Sequence, residues 1–552
     1  MNSAGSSTAR EPLRWLDRTF ADALAWAKRE HCDRLAFVAG DVRLSFAELV
    51  AEADHFASGL LASGIVAGDK VGIWLPDSVE WMIARWAIPS IGAVLVPINT
   101  RFRDADLRYV LQQSDCRALI MRMRYRQADY GAILNEALGG IAAQRPWAWK
   151  VEGMPCMQAV IGVGDDLAAG MTPFREVVER GMSETPTALA DARAQVRPVD
   201  VAQILYTSGT TSFPKGAMVR HGALLENNFN NAARMRLSAA DRFLASAPLF
   251  SATGTSYVLY SFLSGAAVVV SDGFTPKGFC EVVEREGITA TFFVEPMVHD
   301  LRAYEERSGY NLASLRTGTG SPLAASSFRW IVEELGVLEF TAAYGLSESS
   351  NAVARSFCDE PLDDRIATCG LPVPGVEVRI DDVDTGAILP AGVIGEIRLR
   401  GFNVMAGYYN MPEETARAVD VDGWLHTGDL GELRADGRLI YRGRLKEMIK
   451  PSGFNVATLE VEEFIKTLPG VREAVLVGVP DQRRGEAGYA FVEVQPGALL
   501  AADDIVRYCR QHIASYKVPR EVEFITEWPR TSTGKLRKVE LRERARQRVL
   551  PA

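Results

Sequence analysis

The sequence predicts a layered α/β protein with a large N-terminal domain and a small C-terminal one, and three observations carry that prediction. The chain has 552 residues, well past the roughly 250 to 300 at which a single hydrophobic core stops growing. Apolar runs of strand length recur between helical patterns: KVGIWLP from Lys70, ALIM from Ala118, AQILYTS from Ala202, AAVVVSD from Ala266 and TATFFVEP from Thr289. Short buried strands alternating with helices imply sheets covered by helices. Beyond Gly375 the texture changes to VEVRIDD, GAILPAG and GEIRLRG, short alternating segments between Gly, Pro and Asp turns, which reads as a small β-rich subdomain. After Arg442 the charged stretch GRLKEMIKPSGFNV leads into the helix pattern LEVEEFIKTL and the strand pattern AVLVGVP. That alternation suffices for a separate small domain, so the boundary falls at Gly443 and Arg444, giving domains 1–443 and 444–552.

Composition narrows the function classes. Apolar residues make up 47% and charged residues 24%, the ordinary globular balance, which leaves no room for extensive disorder. A net charge of -9 argues against nucleic acid or an anionic membrane as the main partner, since both select a basic face. The seven cysteines are scattered without a CxxC pair, so neither a disulfide framework nor a cysteine zinc site is expected, and a reducing compartment is. The six histidines are equally dispersed, with no HExxH to hold a transition metal. The N-terminus lacks an apolar targeting segment, and the longest apolar stretch, Met82 to Ile98, is broken by Arg85 and Pro89. A cytoplasmic protein without an integral membrane segment is the expectation.

The strongest local signal is YTSGTTSFPKG, Tyr206 to Gly216, which follows the strand pattern AQIL. Hydroxyls and exposed amides on a glycine-hinged loop can wrap phosphate oxygens, and Lys215 adds a charge. It is not a Walker A loop, because the lysine precedes the glycine, and alone it also reads as a Ser/Thr-rich surface turn. Downstream, AAYGLSES offers an aromatic face at Tyr344, a hydroxyl at Ser347 and a carboxylate at Glu348 that could hold Mg²⁺. GWLHTGDL puts Asp429 in a tight turn, where a carboxylate can accept both hydroxyls of a ribose or simply form the turn. GRLKEMI carries Arg444, and TSTGKLRK presents Lys535 on a glycine-containing loop; an isolated lysine of this kind is usually solvated.

Taken together and in this order, these blocks resemble the adenylate-forming superfamily of acyl-CoA synthetases, coumarate-CoA ligases, beetle luciferases and peptide-synthetase adenylation domains. The resemblance runs from about Thr19 to Arg542 and includes LSFAEL at Leu44, PINTR at Pro97, VMAGYYNMPEET at Val404 and GVPDQRRGE at Gly478. It implies a large domain of two α/β subdomains plus a β-barrel-like one, followed by a small mobile α+β domain. It implies further that Thr207, Ser208, Gly209, Thr210, Thr211 and Lys215 hold the phosphates of ATP, and that Tyr344 and Gly345 lie beside adenine with Ser347 close by. Glu348 would bind Mg²⁺, and Asp429 and Arg444 the ribose. Lys535 would be the catalytic lysine of the first half-reaction, aided by Thr207 and Glu348, and Lys446 the hinge. Lys450, Gly453 and Phe454 of KPSGF would face coenzyme A, where a glycine lets the pantetheine approach. The implied activity is an ATP-dependent ligase that makes an acyl-adenylate and passes the acyl group to coenzyme A. A carrier-protein acceptor and a decayed nucleotide-binding protein are its rivals.

The physics of such a first step fits these residues. A carboxylate must attack the α-phosphate, and two anions repel unless fixed cations screen them. The sequence also departs from the family. Ser212 stands where glycine is usual, and Ser251, in APLFSATG, where histidine is common; Glu295 stands for proline and Thr319 for glycine. No aspartate occurs from Ala247 to Tyr257 to pair with an amino group, which disfavours an amino acid. Ser251, Phe293, Gly318 and Tyr344 are the candidate acid-binding residues, and apolar neighbours such as Phe250 and Tyr257 suggest a hydrophobic acid, fatty, aromatic or alicyclic, although such residues are also ordinary core. A homodimer, the commonest symmetric assembly, is compatible with all of this.

Overall fold

The computed structural model describes residues 15–141, 144–207, 214–320, 323–451, 456–481, 484–530 and 536–549. The chain divides into two compact units. One takes in the chain up to Glu377 together with Leu399–Leu425, the other Val378–Arg398 together with the chain from His426.

All five strand-length runs of the N-terminal region form strands: Lys70–Trp74, Cys116–Arg122, Val201–Thr207, Ala267–Val270 and Ala290–Phe293. They are shared between two sheets of the first unit. The eight-stranded sheet runs Gly407–Tyr408, Lys215–Arg220, Val201–Thr207, Val94–Pro97, Lys70–Trp74, Cys116–Arg122, Ala159–Val163, Thr172–Pro173. It is parallel from Val201–Thr207 onward and antiparallel at the opposite edge. The nine-stranded sheet runs Leu371–Pro372, Asn351–Arg355, Glu339–Leu346, Thr317–Gly320, Ala290–Phe293, Arg242–Ala245, Ala267–Val270, Leu35–Ala39, Val42–Ser45. Its middle is parallel and its two edges are antiparallel.

The pleat explains why these runs are apolar throughout, since successive side chains face opposite sides and both sides are covered. In the eight-stranded sheet Ile73, Leu95 and Ile120 face one cluster, while Trp74, Val94, Val96, Leu119 and Met121 face another beneath the helices Asp104–Gln113 and Tyr130–Leu138. In the nine-stranded sheet Phe37, Phe243, Val268 and Phe292 enter the first cluster too. Val38, Leu244, Val269 and Phe293 enter a third, covered by Pro276–Glu286, Glu295–Ala303 and Ala325–Glu333. The cluster common to both sheets contains the helices Phe20–His31, Phe46–Ala62, Val79–Ser90, His221–Arg234 and Ala252–Ser264. The order of layers is therefore helix, sheet, helix, sheet, helix. Trp86 and Phe262 stack in the middle layer at 3.7 Å between centroids, flanked by Phe20 and Phe46.

Local sequence sets the helix starts. In LSFAEL, the Ser45 hydroxyl accepts from the Glu48 amide while Glu48 accepts from that of Ser45, a reciprocal cap that begins Phe46–Ala62. This helix then meets Phe174–Met182 backbone to backbone. A Cβ on Gly59 would lie 1.9 Å from the Val177 carbonyl oxygen, and one on Gly181 would lie 1.8 Å from that of His55.

In the β-rich stretch, Val376–Asp381, Gly395–Gly401, Leu425–Leu433 and Leu439–Arg444 form a four-stranded sheet. From GAILPAG, Ile388 bridges Asp381, with the Leu389 amide donating to the Ile380 carbonyl at 2.8 Å. Near the C-terminus, Val471–Asp481 and Gly485–Val494 pair antiparallel, and Glu521–Phe524 joins in parallel. The helices Thr458–Lys466 and Ala502–His512 cover one face through Ile465 and Ile505. Lys538–Val549 covers the other through Leu541 and Ala545. Among the described residues no helix is long and apolar enough to cross a membrane.

Gly181→Ala should lower the thermal midpoint markedly, by the equivalent of about 3 kcal/mol, because the added methyl forces two packed helices apart. Gly309→Ala, where an added Cβ meets nothing within 4 Å, should leave it unchanged; equal midpoints for the two variants would contradict the close crossing.

Candidate functional site

The segment Ser208, Gly209, Thr210, Thr211 and Ser212 lies outside the described residues, but both of its ends are fixed. Thr207 closes the strand Val201–Thr207 and faces Lys215, the first residue of the antiparallel return strand, across the ladder. The Thr207 hydroxyl donates to the Lys215 carbonyl at 3.4 Å, and Tyr109 donates to the Pro214 carbonyl at 2.9 Å. The Lys215 ammonium pairs with Glu414 and stands 5.2 Å from the centroid of the Tyr408 ring. Tyr408 in turn donates to Glu348 Oε1 at 2.9 Å. Burial, and after it the Glu348 carboxylate, lifts the Tyr408 phenol far above its ordinary range, so it stays a neutral donor. Lys215, Tyr408, Glu414 and Glu348 thus form one linked polar group at the strand ends.

Glu348 lies in a short turn, Ser347–Ser349, after the strand Glu339–Leu346. The turn is held under backbone strain, with φ of 56° at Ser350 and 90° at Asn351. Such angles cost roughly 1–3 kcal/mol each and persist where surroundings enforce them. Here Asn227 donates to the Ser350 carbonyl, Ser350 to that of Asn403, Asn403 to that of Ser349, and the Met405 amide to that of Glu348. Tyr344, in the preceding strand, is buried. At Gly345 a Cβ would lie 2.2 Å from the Asn351 carbonyl, so the exposed glycine is required by the close approach of the next strand. Among the described residues no three His, Cys, Asp or Glu side chains group as a metal cage. A single carboxylate such as Glu348 is nonetheless an adequate protein ligand for Mg²⁺, which keeps its waters and leans on phosphate oxygens.

The candidate acid-binding residues are spread over different environments. Ser251 caps the helix Ala252–Ser264, accepting from the Gly254 amide at 2.9 Å and donating to the Pro248 carbonyl at 2.8 Å. Gly318 sits within its sheet, where a Cβ would lie 2.1 Å from the Thr291 carbonyl. Phe293 does not join the strand ends: its ring is fully buried between Phe279 and Phe340, because the pleat that sends Phe292 to the middle layer sends Phe293 outward. Glu295 accepts from the Ala324 amide at 2.8 Å and from Ser327, and pairs with His299 at 3.1 Å. The Thr319 hydroxyl donates to the Thr341 carbonyl at 2.9 Å.

In the second unit Asp429 and Arg444 face each other across adjacent strands, with Nε to Oδ1 at 3.3 Å. Burial works against the Arg444 charge, but Asp429 and Tyr441 outweigh it and hold the guanidinium above its usual range. Gly428, at φ 66°, donates its amide to Glu396 at 3.0 Å, and Thr427 accepts from the Asp429 amide at 3.0 Å, which fixes the turn that carries the carboxylate. Lys446 lies in the short turn Leu445–Glu447, its carbonyl accepting from Arg542 at 3.4 Å. Lys450 pairs with Asp384 at 3.4 Å, and its amide donates to Glu486 at 2.7 Å. Gly453, Phe454 and Lys535 lie outside the described residues.

Three polar groups near the strand ends have no role assigned from the sequence. Tyr408 and Glu414 both belong to VMAGYYNMPEET, which was matched as a block without a role for either. Asp77, in the loop after Lys70–Trp74, accepts from the Leu249 amide at 2.9 Å. Burial pushes its carboxyl up to about 6, with that amide pulling the other way. A carboxylate following a strand, inside PDS, carries no pattern signal beyond a helix-start residue.

With this geometry in place, comparison with known proteins is informative. Residues 24–409 match the AMP-binding enzyme family and residues 460–535 match the AMP-binding enzyme C-terminal domain. A Rhodococcus jostii ligase that joins CoA to a methyl-dioxo-octahydroindenyl propanoyl group is 35% identical, over 95% of this chain and 98% of its own. The mitochondrial medium-chain acyl-CoA ligase ACSF2 of Mus musculus is 31% identical, over 97% and 88% respectively. Among solved structures, the anthranilate CoA ligase AuaEII in complex with anthranoyl-AMP superimposes with a TM-score of 0.84 at 26% identity, over 97% of this chain and 98% of its own.

The raised Asp77 pKa makes a pH prediction. The folded protein holds this proton more tightly than the unfolded chain, so the contribution is fully present below about pH 4 and is lost as pH rises through about 6. Asp77→Asn, which keeps an acceptor for Leu249, should therefore raise the thermal midpoint near neutral pH and lose that advantage by about pH 4. A variant that gains nothing at neutral pH would show that the surroundings of Asp77 do not disfavour its charge.

Proposed function

The chain belongs to the AMP-binding enzyme family, and from that premise we propose how its parts work: it is an AMP-forming carboxylate–CoA ligase that activates a hydrophobic acid. ATP and coenzyme A are its co-substrates. The observation that carries the assignment of parts is the linked group of Lys215, Tyr408, Glu414 and Glu348 at the ends of the strands, beside the loop that the sequence marks for phosphates.

In this reading Thr207 to Thr211 and Lys215 take the β- and γ-phosphates, and Tyr344 and Gly345 flank the adenine, with Ser347 nearby. Asp429 and Arg444 take the ribose. Glu348 would hold Mg²⁺, which when bound supplies positive charge against the phosphates. The acid's carboxylate oxygen attacks the α-phosphorus, pyrophosphate leaves with the electrons of the broken P–O bond, and acyl-AMP remains. Lys535 offsets the charge that accumulates on the α-phosphate oxygens. The thiol of coenzyme A then attacks the acyl carbonyl, loses its proton to the medium, and AMP leaves.

The second step needs no lysine at the phosphate, so a hinge at Lys446, with the mobile domain taken as 444–552, would replace Lys535 by the Lys450, Gly453 and Phe454 segment. Relatives acting on medium-chain, alicyclic and aromatic acids support an apolar acid as substrate class, with Ser251 and Gly318 near its carboxyl end. The scattered cysteines, without a CxxC pair, support a reducing, cytoplasmic site of action.

Coupled AMP release with a panel of straight-chain, aromatic and alicyclic acids, with and without CoA, tests the proposal. CoA-dependent release with an apolar acid, reduced roughly 10²- to 10⁴-fold in Lys535→Ala, is the expected result. Adenylate formation that CoA does not discharge would replace CoA by a carrier-protein acceptor. Absence of pyrophosphate exchange with every acid would overturn the activity.

A further inference from the structure

We propose that Lys538 is a positioning residue for the adenylation step, its buried bridge to Glu447 and Glu462 tying the segment that carries Lys535 to the residue next to the hinge. The inference rests on the roles given above to Lys535 and Lys446. The Lys538 ammonium lies 2.7 Å from Glu447 Oε2, 2.9 Å from Glu462 Oε1 and 3.2 Å from Glu462 Oε2, with Thr458 Oγ1 at 3.4 Å. Only 16% of the lysine side chain and 5% of that of Glu462 are exposed. Burial opposes the charge, yet Glu462 and Glu447 outweigh it and hold the ammonium above its usual range.

Three separate elements meet at this one ammonium. Glu447 ends the short turn that contains Lys446. Glu462 lies on the helix Thr458–Lys466 and is itself fixed, accepting from the Leu476 amide at 2.8 Å. Lys538 opens the terminal helix Lys538–Val549, from which Arg542 also donates to the Lys446 carbonyl. Leu536 and Arg537, directly before it, are held as well: Leu536 bridges Arg530, and the Arg537 amide donates to the Pro529 carbonyl at 2.8 Å.

Lys535 is thus three residues from a buried anchor, a reach of roughly 10 Å at full extension. A buried ion pair is poor evidence of stability, since apolar residues of like volume often do as well or better. This one is better explained by register, because it fixes where the terminal helix begins relative to the hinge turn. Leu541 and Ala545 already anchor the rest of that helix to the sheet. A misplacement of about 1 Å at a reacting group costs roughly 10²-fold in rate, so loss of this anchor should be felt in the one step that uses Lys535.

The test measures the two half-reactions separately in the full chain, using the acid with the highest turnover in the wild type and its chemically prepared acyl-adenylate. Lys538→Gln should lower ATP–pyrophosphate exchange roughly 10²-fold while thioester formation from supplied acyl-adenylate and CoA stays near the wild-type rate; Lys538→Arg should restore most of the exchange. Thioester formation also reports folding, and should Lys538→Gln fail there, Glu447→Gln, which keeps a neutral acceptor for the lysine, is expected to give the same split. Equal loss of both half-reactions in Glu447→Gln, or no loss of exchange in a folded Lys538→Gln, overturns the proposal. Lys535→Ala is run alongside. If that variant exchanges normally, the role of Lys535 itself is wrong, whereas a dead Lys535→Ala beside a fully active Lys538→Gln removes only the positioning role.

Discussion

The first unit depends on one constraint: two sheets share a single apolar layer of helices. Phe20–His31, Phe46–Ala62, Val79–Ser90, His221–Arg234 and Ala252–Ser264 bury side chains against both sheets, so neither sheet can move without disturbing the packing of the other. The loops that follow the parallel strands of the two sheets consequently meet. Asp77, after Lys70–Trp74, receives the amide of Leu249, after Arg242–Ala245. Tyr125, after Cys116–Arg122, donates to Asp272, after Ala267–Val270, at 2.7 Å. Ligands of open α/β sheets bind outside the carboxyl ends of strands, and here the shared layer brings two such edges together.

Charge imposes the second constraint. The reaction joins a carboxylate to a polyphosphate, yet the chain carries a net charge of -9, so useful cations must be held locally against a repulsive background. Three of the candidate cations in the described residues have a carboxylate partner: Lys215 has Glu414, Arg444 has Asp429, and Lys450 has Asp384. Such pairs contribute little to stability when exposed. A pair of this kind holds a long side chain in one place, which is the condition under which fixed charge is effective in a transition state.

Much of this was legible in the sequence, and for physical reasons. Strands covered on both faces must be apolar throughout, so Lys70–Trp74 and Ala267–Val270 announce themselves, and a phosphate loop needs hydroxyls and glycine in a row. What escaped notice depends on tertiary contact. Nothing local says that Tyr408 will reach Glu348, 60 positions away in sequence, or that Glu414 will reach Lys215. Phe293 was grouped with the acid-binding residues because it is aromatic and near a marked segment, but the direction of a side chain on a strand is fixed by register, and its neighbour Phe292 has the opposite one. Asp77 carries no mark in the sequence, and the amide that it accepts comes from Leu249, far along the chain.

Ser251, Thr319 and Glu295 stand where the resembled superfamily commonly has histidine, glycine and proline. One expectation is that these three polar side chains face a bound acid. Their hydrogen bonds point elsewhere. Ser251 closes a helix end, Thr319 donates to the Thr341 carbonyl of the adjacent strand, and Glu295 braces Ala324 and Ser327. Burial disfavours the Glu295 charge, but His299, Ser327 and the Ala324 amide outweigh it and hold its carboxyl below the usual range. A carboxylate whose charge is stabilised by its own surroundings has little reason to turn toward a substrate. These side chains therefore brace the backbone of their own strand and helix ends through internal hydrogen bonds.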